Sequence, residues 1–130
     1  MTTLLLDTHV LHWWTTEPEL LSDTAAQALS DADELAIASV TWWELAWLAQ
    51  HGRIAVPFPV RTWLEQLSLR VRTVATTAPI AATAVSLPNS FPQDPADRVI
   101  YATAIEQGWQ LVTKDAALRR HRDARQVTIW

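Results

Sequence analysis

Residues 93–104 have the sequence QDPADRVIYATA, which predicts a buried helix with an unusual beginning. The apolar residues from Val99 onward recur on one helical face. Asp94 occupies the N-cap position, and Pro95 takes the first helical position, where a missing N–H removes no hydrogen bond. Asp97 follows in the first turn, so two carboxylates crowd one helix N-terminus. These acids either cap the helix and interact with its dipole, or they serve a site at this end of the helix.

The composition predicts a single globular domain over residues 1–130. Hydrophobic residues make up 49% of the chain and charged residues 18%, which is typical of a folded protein with a substantial core. The absence of cysteine excludes disulfides and thiolate metal sites, and it fits the cytoplasmic location that we expect. We expect no signal peptide and no membrane span, because Asp7 interrupts the first apolar run and the uncharged residues 73–93 are rich in Thr and Pro.

Short apolar runs alternate with helical patterns along the chain. Residues 4–6 are wholly apolar, as in a strand that is buried on both faces of a parallel sheet. The alternation predicts an α/β fold with a mainly parallel central sheet of about five strands flanked by helices. Prolines in residues 57–59 predict a break before one of the helices. The predicted strands are residues 3–6, 35–38, 71–74, 111–113 and 127–129.

Acidic residues follow strands or begin helices at four places. Asp7 and Asp115 follow the first and fourth predicted strands, and Glu44 and Asp97 lie in the first turns of predicted helices. In a doubly wound sheet all four can meet at the carboxyl edge of the strands. Carboxylates that share a cleft repel each other unless protons or cations neutralise them. An oxygen-only ligand set is typical of Mg²⁺ or Mn²⁺, which can clamp a phosphodiester and activate water.

The net charge of −4 excludes a protein that coats nucleic acid through bulk electrostatics. It does not exclude an enzyme that acts on nucleic acid, because bound divalent cations reverse the field inside an acidic site.

Several residues near these acids have a structural interpretation as well as a functional one. Thr41 and Glu44 match a capping box, in which the glutamate binds the N-cap amide. Thr113 either orients a water at a metal or is an ordinary strand residue. Arg98 either contacts a scissile phosphate or pairs with Asp94.

Other polar residues are assigned in the same way. Asp7 follows a strand and has no evident capping role, which favours a functional one. His9 and His12 are predicted to be surface or packing residues. A group of arginines near the C-terminus forms either a path for phosphates or a solvated helix face: Arg119, Arg120, Arg122 and Arg125.

Four segments in order and at the expected intervals resemble a PIN-domain ribonuclease, and more narrowly a VapC-type toxin of a bacterial type II toxin–antitoxin pair. They are residues 4–9, 39–44, 94–98 and 111–115, and the resemblance extends from residue 2 to residue 130. It implies a parallel sheet flanked by helices, RNA cleavage that depends on Mg²⁺ or Mn²⁺ and leaves 5′-phosphate and 3′-hydroxyl ends, inhibition by a VapB-type antitoxin, and a homodimer.

The resemblance also implies roles for particular acids. Asp7, Glu44, Asp97 and Asp115 correspond to the acidic quartet, with Asp94 as an additional acid. In this assignment Asp7, Asp97 and Asp115 bind the metal directly, and Glu44 binds it directly or through water.

Two further classes of function stay open at this point. A phosphoacceptor domain of the receiver type also gathers acids around Mg²⁺ with a Thr and a Lys nearby, here Thr113 and Lys114, although it requires paired acids after the first strand. A catalytically silent PIN fold would act as an interaction module.

The chain contains eight tryptophans, far more than a core of this size needs. Trp43 and Trp47 are one helical turn apart, and Trp13 and Trp14 follow the first strand. Because tryptophan is enriched at interface hot spots, we predict that some of these residues line a groove for an amphipathic segment of the antitoxin. The alternative is that all eight belong to the core.

Overall fold

The computed structural model describes residues 1–57 and 59–130, so Phe58 of the predicted break lies outside the described residues. The strands are β1 (Thr3–Leu6), β2 (Glu34–Ala38), β3 (Arg72–Val74), β4 (Gln110–Val112) and β5 (Thr128–Ile129). The helices are α1 (Thr8–Thr16), α2 (Asp23–Asp31), α3 (Val40–Gln50), α4 (Val60–Ser68), α5 (Ala78–Ser86), α6 (Pro95–Gln107) and α7 (Ala116–Arg120). A single 3₁₀ turn at Pro18–Leu20, which the sequence did not predict, links α1 to α2.

The strands form one sheet in the order β3-β2-β1-β4-β5, and every pair is parallel. The predicted α/β fold with a mainly parallel sheet of about five strands is therefore confirmed. Element ends differ by one or two residues from the prediction, as is usual for helix and strand boundaries.

β1 lies in the middle of the sheet and is covered on both faces. Leu5 packs into a core with residues of α5, α6 and α7, whereas Leu4 and Leu6 pack into a second core with residues of α1 to α4. Successive side chains of a strand point to opposite faces, so a strand between two cores needs an apolar residue at every position. This explains the uninterrupted run of leucines.

The direction in which the chain winds reverses at β1. From β1 the chain passes outward to β2 and β3, then returns to β4 and β5 on the other side. Such a reversal opens a crevice at the carboxyl ends of the two central strands. Asp7 stands at this point, and its backbone N–H donates to the carbonyl oxygen of Val112 at 3.0 Å.

α6 begins as the sequence predicts. The Asp94 side chain accepts a hydrogen bond from the backbone N–H of Asp97 at 3.1 Å, so its capping role is confirmed. Pro95 is the first helical residue, and Gly108 ends the helix with a left-handed backbone, φ 70°.

Arg98 has a structural role that the sequence did not predict. Its guanidinium uses all five N–H donors on backbone carbonyl oxygens at 2.9–3.4 Å, those of Ala84, Leu87, Pro88, Phe91 and Pro92. The predicted pair with Asp94 is therefore wrong, and no donor is left for a phosphate. Arg98 instead fixes the loop between α5 and α6, which leads into the acidic N-terminus of α6.

Within the described residues, no helix is both long and apolar enough to cross a membrane.

Candidate active site

A cleft of about 570 Å³ opens at the carboxyl edge of the sheet, where the direction of winding reverses. The four predicted acids Asp7, Glu44, Asp97 and Asp115 all line it. The other lining residues are Thr8, His9, Val10, Trp13 and Lys114. Four positions that are far apart in the sequence therefore meet in one cleft.

Asp7 is held from two sides. It is 9% exposed, its Oδ1 accepts from the backbone N–H of Thr8 at 2.8 Å, and its Oδ2 accepts from the Thr113 hydroxyl at 2.7 Å. The expectation that Asp7 has no capping role is wrong, because it caps α1. Burial raises the pKa of Asp7, while the hydrogen bonds from Thr113 and Thr8 lower it.

Thr113 connects two of the acids. Its buried hydroxyl donates to Asp7 and accepts from the backbone N–H of Asp115 at 3.0 Å. Thr113 is thus more than an ordinary strand residue, since it positions Asp7 relative to the turn that carries Asp115.

Glu44 does not complete a capping box with Thr41, and that prediction is wrong. Ser39 already has helical backbone angles, φ −57° and ψ −29°, so α3 begins at Val40 and Thr41 lies inside the helix. The backbone N–H of the N-cap residue Ser39 donates to the carbonyl oxygen of Val74, which extends the pairing of β2 with β3, and it therefore does not donate to Glu44.

Glu44 points into the cleft instead. Its Oε1 accepts from the Thr8 hydroxyl at 2.5 Å, and that hydroxyl lies 3.2 Å from the hydroxyl of Thr41. Burial raises the pKa of Glu44, the bond from Thr8 lowers it, and the charge of Asp7 raises it. Thr8 was not predicted as a site residue, although a hydroxyl directly after a strand-end acid is the signal that would have found it.

Asp115 and Asp97 differ in the hydrogen bonds that their carboxylates accept. Oδ1 of Asp115 caps α7 by accepting from the backbone N–H groups of Ala117 and Leu118, at 2.8 and 3.1 Å. No hydrogen bond reaches Oδ2 of Asp115 or either carboxylate oxygen of Asp97 from the described residues. These oxygens are therefore available to a ligand.

The electrostatics of the cleft are most evident at Asp97. Burial, followed by the charges of Asp7, Asp94, Asp115 and Glu44, raises the pKa of Asp97 from 3.8 to about 7. Each of these four carboxylates is therefore close enough to disfavour a further negative charge. At neutral pH the metal-free cleft holds a proton on Asp97 for much of the time.

The donor set fits a hard divalent cation, because every acidic ligand offered is a carboxylate oxygen. As the side chains stand, no three Asp, Glu, His or Cys residues in the described part of the chain are arranged to hold a metal ion. Binding would therefore require rotation of the side chains that the fold leaves free, and the Asp97 carboxylate has no hydrogen bond to lose.

The remaining candidates lie around the cleft. His9 is exposed and lines it, as expected for a surface residue. His12 is 5% exposed and packs edge-on against Trp63, as expected for a packing residue, with no hydrogen bond to its Nδ1 in the described residues. Arg125 pairs with Asp123. Three arginines are exposed without an ion pair among the described residues and do not line the acid cleft: Arg119, Arg120 and Arg122.

The alternative that all tryptophans belong to the core is wrong. Trp43 is 65% exposed and Trp47 is 39% exposed, one turn apart on α3. Trp63 is buried.

Comparison with known proteins identifies the family. The model of the PIN domain matches residues 4–124, and the chain therefore belongs to the PIN-domain family. The chain is also 62% identical to Ribonuclease VapC22 of Mycobacterium tuberculosis strain H37Rv over 130 residues, which cover all of both chains. It is thus a homologue of a VapC ribonuclease, and the receiver-type alternative is wrong.

Solved structures of lower identity share the fold. A toxin–antitoxin complex from Klebsiella pneumoniae contains a chain with a TM-score of 0.72 and 21% identity, covering 98% of this chain and 96% of that one. A DNA-bound VapBC from Salmonella typhimurium gives a TM-score of 0.73 at 16% identity, covering 99% and 98%.

Proposed function

We propose that this chain is an endoribonuclease toxin that depends on Mg²⁺ or Mn²⁺ and is neutralised by a VapB-type antitoxin. The observation that carries the proposal is that Asp7, Glu44, Asp97 and Asp115 line one cleft although they are far apart in the sequence. The raised pKa of Asp97 agrees with the closeness of these carboxylates. A fold that needed these acids only as helix caps would not place them in one cleft. The homology to a VapC ribonuclease supports the same conclusion.

In this proposal Asp7, Asp97 and Asp115 bind the cation, and Glu44 binds it directly or through water. A bound cation would polarise the phosphodiester and activate water for in-line attack. The products expected from hydrolysis, by resemblance to the family, carry a 5′-phosphate and a 3′-hydroxyl.

The chain's own residues keep these carboxylates in place. Thr113 and the backbone N–H of Thr8 fix the two oxygens of Asp7, and the Thr8 hydroxyl fixes Glu44. Each bonded oxygen retains a lone pair for a ligand. A cation bound at Asp97 would displace its proton, so this carboxylate would gain its negative charge as the cation binds.

The test is cleavage of single-stranded RNA by the purified chain. We expect cleavage with Mn²⁺ or Mg²⁺, loss of cleavage with excess chelator, and loss in Asp97→Asn. Cleavage that continues in the chelator would contradict the metal dependence. No cleavage under any condition, by a folded chain that binds its antitoxin, would instead support the silent interaction module.

The partner proposal rests on the exposed tryptophans of α3. Trp47 stacks on His51, with ring centroids 4.1 Å apart and planes at 21°, and Arg53 lies 6.0 Å from the Trp47 ring. Exposed indoles of this kind are expensive to leave in water and typical of interfaces. We expect an amphipathic segment of the antitoxin to cover Trp43 and Trp47, and the toxin–antitoxin complexes with the same fold support this.

The measurement is tryptophan fluorescence with and without antitoxin. The emission of the parent should shift to shorter wavelength on binding, and the shift should shrink in Trp43→Leu but not in Trp109→Leu. An unchanged spectrum with binding shown by another method would exclude this surface. The homodimer and the cytoplasmic location stay predictions; light scattering should give twice the 14.6 kDa of one chain.

A further inference from the structure

One wall of the acid cleft is aromatic. The rings of His9 and Trp13, both on α1, have centroids 5.8 Å apart and planes at 47°. Both residues line the cleft together with the acids. Both also line a neighbouring cavity of about 690 Å³. This pair, which we call the aromatic wall, therefore stands between the two cavities.

Core packing does not explain the aromatic wall. His9 is exposed, Trp13 is half-buried, and neither belongs to the two hydrophobic cores of the described residues. Trp13 contacts Trp130, with ring centroids 6.1 Å apart, and Lys114 Nζ lies 5.6 Å from the Trp13 ring centroid. These contacts orient the indole without burying it.

Lys114 adds a cation to this wall. It directly precedes Asp115, and among the described residues that line the cleft it is the one Lys or Arg. The lining of the cleft thus combines carboxylates with an aromatic pair and a lysine that lies beside it.

Hydrolysis of a phosphodiester needs no aromatic surface, whereas aromatic surfaces are a common means of recognising unpaired RNA. Proteins hold unpaired RNA by stacking bases on aromatic rings and by contacting phosphates with Lys or Arg. Resting on the proposed ribonuclease function, we propose that the aromatic wall stacks one unpaired base next to the scissile phosphate, with Lys114 contacting the neighbouring phosphate. Because a duplex already stacks its bases on each other, this surface selects single-stranded segments or loops.

The test combines a protein variant with a modified RNA. Trp13→Leu keeps an apolar side chain but removes the π face, and a series of oligonucleotides each lacks one base near the cleavage position. Stacking of one base contributes about 1–3 kcal/mol, a factor of about 5 to 150 in kcat/KM. We expect Trp13→Leu to lower kcat/KM by a factor in this range on intact RNA, and mainly through KM.

One abasic position should reproduce this loss in the parent, and Trp13→Leu should cause no further loss on that oligonucleotide. Trp109→Leu is the matched control: Trp109 is also half-buried, with Arg72 Cζ 5.4 Å from its ring centroid, but it precedes β4 at the opposite edge of the sheet. We expect its kcat/KM to remain that of the parent on every oligonucleotide.

The outcomes separate this proposal from the function on which it rests. The first outcome is that the parent cleaves RNA, but Trp13→Leu lowers kcat/KM by the same factor on every abasic oligonucleotide as on intact RNA. In that case the aromatic wall does not bind a base, and the ribonuclease function stands. If Trp13→Leu weakens only antitoxin binding, the wall belongs to the antitoxin interface, and the proposal is likewise overturned. If the folded parent cleaves no RNA, the proposed function fails, and the proposal fails with it.

Discussion

Replacing Asp97 with Asn should make the metal-free domain more stable above neutral pH. Burial and the surrounding carboxylates raise the pKa of Asp97 from 3.8 to about 7. A difference of this size corresponds to roughly 4 kcal/mol. Because the carboxylate is partly exposed, solvent screening reduces it to about 2 kcal/mol. The asparagine also loses a favourable interaction with the α6 dipole, about 0.3–1 kcal/mol, so the expected net gain is about 1–2 kcal/mol.

The sign of the pH dependence follows from the raised pKa. Between pH 3.8 and about 7 the folded domain holds a proton on Asp97 that the unfolded chain has released. The parent therefore loses stability as the pH rises through this window, and Asp97→Asn lacks this contribution. The two proteins should be equally stable near pH 4 and differ fully above pH 7.

The assay is thermal or urea unfolding in excess chelator at pH 4.5 and pH 8. At pH 8 the melting temperature of Asp97→Asn should exceed that of the parent by roughly 3–8 °C. Asp23→Asn is the matched control, because Asp23 is an exposed acid in the first turn of α2, outside the cleft; it should be unchanged or slightly less stable. A variant no more stable than the parent at pH 8, or more stable by the same amount at both pH values, would refute the reasoning that the carboxylates repel one another.

Three further predictions concern residues that hold the site or the core. Arg98→Ala should destabilise the domain by about 3 kcal/mol or more in urea unfolding, because five carbonyl oxygens lose a charged donor. Arg98→Lys should restore little of this stability. A mild effect of Arg98→Ala would mean that water replaces the guanidinium. Thr113→Val should lower the free energy of unfolding by about 1–3 kcal/mol and weaken Mn²⁺ binding in calorimetry, since buried Asp7 loses a hydrogen bond. Unchanged Mn²⁺ binding would mean that Thr113 stabilises the fold but does not contribute to the metal site. Burial lowers the pKa of His12 below 6.5, so the parent should lose stability relative to His12→Leu as the pH falls below 6.5. A constant difference in melting temperature between the two proteins from pH 7.5 to pH 5 would contradict this.

The sequence predicts the sheet well because its signals are local. The leucine run of β1 requires two covered faces, and a short apolar run closely followed by an acid also marks β4. Asp94, Pro95 and Gly108 mark the two ends of α6, and the structure begins and ends the helix at these residues. Where each strand lies in the sheet follows from the rules of parallel crossovers rather than from any single residue.

Side-chain roles were harder to predict because they depend on contacts between distant segments. Thr41 and Glu44 have the spacing of a capping box, but pairing of Ser39 with Val74 starts the helix earlier than the local pattern indicates. Arg98 looks like a residue that binds phosphate until the loop between α5 and α6 folds around it. No periodicity in the sequence indicates that five carbonyl groups will converge on one guanidinium.

The central claim is that the carboxylates of the cleft form one cation site, and a calorimetric titration of Mn²⁺ into the metal-free chain tests it most directly. The parent and Asp23→Asn should bind Mn²⁺ equally well. Asp97→Asn should bind it at least about tenfold more weakly, because it lacks a charged ligand that contributes about 1.4 kcal/mol or more. A parent that binds no Mn²⁺, or an Asp97→Asn variant that binds it as tightly as the parent, would contradict the account.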